Sequence, residues 1–165
     1  RLLLKDGDAR IELRRLNVCL RGLVDTEQET QQDLEAQVSR TLATLAGGPV
    51  RIRNCFRAGR FSSTRSRPVI IVFDDLAEKV RVLRAKKALY LDTCPTDLRG
   101  LRVYHDLSPL HLQWKTLLRP SYDFFRDQGT RVIWRNGYRL MAYTHGTWEE
   151  YIPREMLMPG AQAYF

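Results

Sequence analysis

Val69-Ile70-Ile71-Val72-Phe73 is a run of β-branched and aromatic residues bounded by Arg67-Pro68 on one side and Asp74-Asp75 on the other. A pentamer of this kind is too short for a buried helix and reads as a central, well-buried strand. A sheet must therefore be built around it. Leu16 to Arg21, closed by Gly22, and Val50 to Phe56, which alternates, supply further strands, and Leu101-Arg102-Val103-Tyr104 supplies another. Between the first two strands, Leu34, Val38, Leu42 and Leu45 recur at helical spacing. Thr26-x-x-Glu29 has the form of a capping box ahead of that helix, and Gly47-Gly48 ends it. Asp74 or Asp75 can cap a second helix running to about Ala88, with Leu76, Val80 and Leu83 on its inner face.

Residues 16 to 106 thus read strand, helix, strand, strand, helix, strand, the order of a split βαβ or ferredoxin-like antiparallel sheet with two helices on one face. Ser108 then caps a third helix with Pro109 at its favoured first position, and Gly129 stops it. Arg131 to Trp134 and Tyr138 to Tyr143 form a hairpin around Asn136-Gly137, and the tail from Trp148 adds a strand edge and a short helical turn. The expected class is α+β, in three parts: residues 1–15 as the end of an upstream helix, 16–106 as the split βαβ domain, and 107–165 as a small domain of long helix plus β-hairpin. The chain opens at Arg1 without a methionine, and we expect it to be a piece of something longer.

Charge narrows the function. Lys+Arg is 27 against Asp+Glu 19, a formal charge of +8, and only five of the cations are lysines, so 22 are arginines. Arginine's planar fork grips phosphate through two hydrogen bonds and stacks on bases, so the composition points to a polyanionic partner. No apolar run approaches the ~20 residues of a membrane span, and no signal peptide opens the chain. Cys19, Cys55 and Cys94 never take the C-x-x-C spacing of metal or redox sites and read as reduced and structural.

A split βαβ sheet with a basic surface is the frame of the RNA-recognition motif (RRM), whose first and third strands carry aromatics that stack on bases. Here those positions fall at Cys19, Val69 and Ile71, none of them aromatic. Stacking on such aromatics is worth about 1–3 kcal/mol per base, so phosphate and guanidinium contacts must supply most of the affinity.

The order of several segments carries a family resemblance. Arg14-Arg15-Leu16-Asn17-Val18-Cys19-Leu20-Arg21-Gly22, Cys55-Phe56-Arg57-Ala58-Gly59-Arg60-Phe61 with Arg65 and Arg67, and Leu83-Arg84-Ala85-Lys86-Lys87 are three of them. Together with Asp106-Leu107-Ser108-Pro109, they resemble the first open-reading-frame protein of LINE-type (non-LTR) retrotransposons over about residues 10 to 157. The resemblance implies an RRM-like domain plus a carboxy-terminal domain that clamp single-stranded RNA or DNA in a groove between them. It further implies packaging of element RNA, chaperone activity in retrotransposition, and self-association as a trimer through an upstream coiled coil. Cytoplasmic ribonucleoprotein particles, with the nucleus as a second location, would be its setting. Carried over by position, the binding residues are Arg15, Arg57, Arg60, Arg65, Arg67, Arg84, Lys87, Lys115 and Arg131. Cys19 departs from the arginine common there, and Val72 from a further cation.

Each assignment has an ordinary competitor. Arg84 and Lys87 read equally as a solvated helix face, and Arg57 as the partner of an acidic neighbour. Arg60, Arg65 and Arg67 are harder to explain by folding, because their loop holds no Asp or Glu. Trp134 and Tyr138 could stack bases or lie in a core. Two rival functions stand beside nucleic-acid binding. An enzyme would have to use His105-Asp106, His111 or His145, yet no nucleophile elbow, phosphate loop or metal helix accompanies them, so no catalytic residue, metal or cofactor is expected. The other rival is a protein–protein interaction module, for which missing stacking aromatics are no obstacle.

Overall fold

A computed structural model describes residues 14–153. The chain is α+β, with three helices and two antiparallel sheets among the described residues. It divides into two units, one of Arg14–Asp106 and one carrying Leu107 onward. The helix expected over residues 1–15 and the helical turn expected after Trp148 lie almost wholly outside the described residues.

The first unit runs β1 (Asn17–Arg21), α1 (Gln31–Ala46), β2 (Ile52–Arg57), β3 (Val69–Phe73), α2 (Leu76–Ala85) and β4 (Arg102–His105). Its strands stand in the order β2-β3-β1-β4, every neighbouring pair antiparallel. Alternation across the pleat divides the sheet. Val18, Leu20, Cys55, Val69, Ile71, Phe73 and Val103 are buried on one side with Leu34, Val38, Leu42 and Leu45 of α1 and Val82 of α2. Asn17, Cys19, Ile70, Val72, Phe56 and Tyr104 fall on the other side. Val69–Phe73 is an inner strand, but only one of its faces is fully buried; Ile70 and Val72 are half-buried on the second. β2 is an edge strand whose register shifts between Ile52 and Asn54, and Cys55 is its one fully buried residue. Burial, together with the charges of Glu35 and Glu29, pushes the Cys55 thiol up to about 11, so it behaves as a core residue.

Three local expectations need correction. The capping box belongs to Thr30 and Asp33, not Thr26 and Glu29: Thr30 Oγ1 accepts from Asp33 N at 3.1 Å and Asp33 Oδ2 accepts from Thr30 N at 3.0 Å. The Glu29 carboxylate is engaged by Arg57 and so is lost to capping. α2 starts one residue after Asp75, whose carboxylate accepts from Glu78 N at 2.9 Å, and its buried residues are Lys79 and Val82. Leu83 is half-buried and packs against the core as expected, whereas Leu76 is exposed and Val80 only half-buried, so the inner face is centred on Lys79 and Val82 instead. Lys79 is tolerated there because its ammonium donates to the Arg15 carbonyl at 2.7 Å, while burial lowers its pKa. The helix ends at Ala85 and tightens into a 3-10 turn over Lys86–Tyr90.

Gly22 ends β1 with φ 91°, and a Cβ there would lie 2.6 Å from the Gly100 carbonyl oxygen. Both the left-handed backbone and the close approach of two chain segments require glycine.

The second unit holds α3 (Pro109–Asp127) and the sheet β5 (Val132–Arg135), β6 (Arg139–Thr144) and β7 (Thr147–Glu150), in the order β5-β6-β7. Ser108 caps α3 and Pro109 occupies its first turn. Asn136 and Gly137 both take positive φ, 54° and 83°, as a tight hairpin turn demands. Tyr138 belongs to this turn rather than to the following strand, its N–H donating to the Arg135 carbonyl at 3.3 Å. No helix among the described residues is long and apolar enough to cross a membrane.

Candidate nucleic-acid interface

The loop joining β2 to β3 carries four of the expected contacts, and its base and tip differ. At the base, Arg57 is the last residue of β2 and shares the core-facing side of the sheet with Cys55. The segment after β1 brings acceptors to it. Its Nε donates to Glu29 Oε2 at 2.9 Å, and its Nη1 to the Leu23 and Arg67 carbonyls at 3.1 and 2.9 Å. Its Nη2 donates to Glu29 Oε1 at 2.8 Å and to the Val24 carbonyl. A guanidinium has five N–H donors, and these five acceptors engage all of them. With 4% of its side chain exposed, Arg57 has nothing left to offer a phosphate. The expected contact role is corrected to a structural one.

Arg67, at the other end of the loop, is also committed. Its Nε and Nη2 donate to the two oxygens of Asp25 at 2.9 Å each, and its backbone N–H adds a bond of 3.0 Å. The Arg67 hydrogen bonds, with the nearby Arg57 charge, hold the Asp25 carboxyl down to about 2 against the opposing effect of burial. Arg67 also lies 5.7 Å from the Phe61 ring. The counter-charge missing from the loop comes from the acidic stretch before α1, and that stretch was the sequence signal for both pairings.

At the tip the situation reverses. Arg60 and Arg65 are exposed, and neither side chain has a partner among the described residues. Ser62 and Thr64 bond to one another at 3.0 Å, and Ala58 N donates to the Pro68 carbonyl at 2.8 Å, so the loop is held without using these cations. Arg15, Arg84 and Lys87 are exposed elsewhere on the first unit.

In the second unit, Arg131 is exposed and lies over two rings, 5.1 Å from Tyr143 and 5.7 Å from Trp148. Tyr143 and Trp148 are register partners on β6 and β7 with ring centroids 5.3 Å apart. Lys115 of α3 lies 5.4 Å over Trp134, whose other neighbour is the Tyr122 ring, stacked at 5.3 Å. Trp134 is therefore half-buried within its own unit. Tyr138 is buried against His111 at 4.3 Å, the core state rather than a base-stacking one. His111 is itself buried, its Nδ1 2.5 Å from the Ser108 hydroxyl. Arg139, at the end of the hairpin, pairs with Glu150.

The sequence reading missed two rings, Phe56 and Tyr104, each 43% exposed on the side of the first sheet opposite the helices. Their signal was alternation: each adjoins a core residue, Cys55 or Val103, and must point the other way. No family model matches the chain, and no curated protein matches it.

Proposed function

We propose that this chain is a non-enzymatic binding protein for single-stranded nucleic acid, with an RRM-like first unit and a small basic second unit. The observation that carries this reading is the pair Arg60 and Arg65, exposed at the tip of a loop whose base is anchored by other arginines. Evolution of a stable fold gains nothing from two like charges held in solvent without acids, whereas a phosphate backbone does. The strand order β2-β3-β1-β4 and the strand-helix-strand-strand-helix-strand sequence support the RRM-like reading. The resemblance to LINE-type first open-reading-frame proteins adds packaging of element RNA and chaperone activity in retrotransposition to the proposal, with trimerisation through an upstream coiled coil.

The test is binding of the chain to a fluorescein-labelled single-stranded oligonucleotide over a range of salt. A steep linear fall of log affinity with log salt is expected, at about 0.7 per phosphate contact. Absent or salt-indifferent binding would remove the reading and favour a protein partner.

A further inference from the structure

We propose that the open face of the first sheet is a base-stacking platform built on its outer strands, with Phe56 and Tyr104 as the stacking rings and Arg21 and Arg102 as the phosphate contacts beside them. This inference rests on the nucleic-acid reading and names a surface for it.

The strand registers place the rings. Phe56 pairs with Ile70, Ile70 with Cys19, and Cys19 with Tyr104, so one row crosses all four strands on the face opposite the helices. Two exposed rings stand at its ends, with the half-buried Ile70 and Cys19 as an apolar floor between them. Three strand spacings separate the rings by roughly 14 Å. A single strand lying across the sheet can set one base on each ring and rest the intervening one on the floor. The aromatic function absent from the two inner strands is thereby supplied by the two edges.

Charge identifies the occupant. Arg21 and Arg102 are direct register partners on β1 and β4, two residues along from Cys19 and Tyr104 and so on the same face. Like charges opposite one another destabilise a sheet. Neither arginine has a carboxylate partner among the described residues; Arg102 lies 4.8 Å over the exposed Tyr90 ring and donates to the Leu101 carbonyl, and Arg21 hydrogen-bonds Cys19. A cationic pair beside an aromatic row matches a ligand with alternating anions and flat π-surfaces, which is a single-stranded nucleic acid. A purely apolar partner surface would leave the two guanidinium groups opposed.

The experiment uses the full chain, an oligo(U) 20-mer labelled with fluorescein, and titrations at several salt concentrations. Phe56→Ala and Tyr104→Ala should each weaken binding by about 5- to 150-fold, the equivalent of about 1–3 kcal/mol per stacked base. Their salt slope should stay that of the parent, because no phosphate contact is removed, whereas Arg21→Gln and Arg102→Gln should each flatten it by about 0.7. Phe56→Tyr and Tyr104→Phe should restore affinity. If an alanine variant unfolds, Phe56→Leu with Tyr104→Leu keeps the apolar bulk without the ring, and the same loss is expected. Parent-like affinity in the Phe56→Leu/Tyr104→Leu variant would overturn the platform and leave nucleic-acid binding standing. Absence of binding by the parent at every salt concentration would overturn both.

Discussion

The base and the tip of the β2–β3 loop use the same residue in opposite ways. At the base, Arg57 and Arg67 are locked to Glu29 and Asp25; at the tip, a few residues away, the Arg60 and Arg65 side chains face solvent with no partner among the described residues. Burial makes the difference. Where a guanidinium is taken out of water, every donor must be matched, and the backbone carbonyls of Leu23, Val24 and Arg67 help to match those of Arg57. A basic loop can therefore be rigid at its root because some of its cations are neutralised, and available at its tip because others are not.

The largest expected effect lies at the root. Arg57→Met should leave the buried Glu29 without its cation, with Asp25 still held by Arg67, and destabilise the first unit by about 3–5 kcal/mol, read as a lowered urea midpoint. A midpoint equal to the parent's would return Arg57 to the surface and to the list of ligand contacts.

A smaller effect concerns acid. Asp25 is held at about 2 in the folded chain against an ordinary value of 3.8. A depressed carboxyl contributes stability that is fully present above the unfolded value and is lost as pH falls through that range toward the folded one. Stability should thus decline between about pH 4 and pH 2, and Asp25→Asn should flatten that part of the profile. Identical pH profiles for the parent and Asp25→Asn would show that the Arg67 pairing contributes nothing.

The smallest effect on stability belongs to the tip. Arg60→Glu with Arg65→Glu should change the urea midpoint by no more than about 0.5 kcal/mol equivalent. The same variant should weaken binding to all single strands alike and flatten the salt slope by about 0.7 per contact. Unfolding of this variant would mean that root and tip do not differ, and an unchanged slope would take the tip out of the interface.

Much of the architecture was legible from residue order. Val69–Phe73 read as a central strand and is one, though half-buried on its second face; the Leu34-Val38-Leu42-Leu45 spacing marked α1, Ser108-Pro109 began α3, and Asn136-Gly137 turned a hairpin, because these signals act over one or two turns of chain. The phase of α2 was not legible, since a lysine at an inner position looks wrong until the Arg15 carbonyl is seen to receive it. The same holds for the capping box, whose glutamate was drawn away by an arginine 28 residues further along.

For the candidate interface, the sequence by itself determined that the chain is strongly basic and that arginine carries the charge. It also showed no stacking aromatic on the inner strands, although the third-strand positions it assigned, Val69 and Ile71, face the core and the open face carries Ile70 and Val72. Only the tertiary structure decided which arginines remain available, and that Phe56 and Tyr104 share one row of an open sheet face. The physical reason is that composition counts charges and rings, whereas availability depends on acceptors and strand registers brought together from distant parts of the chain.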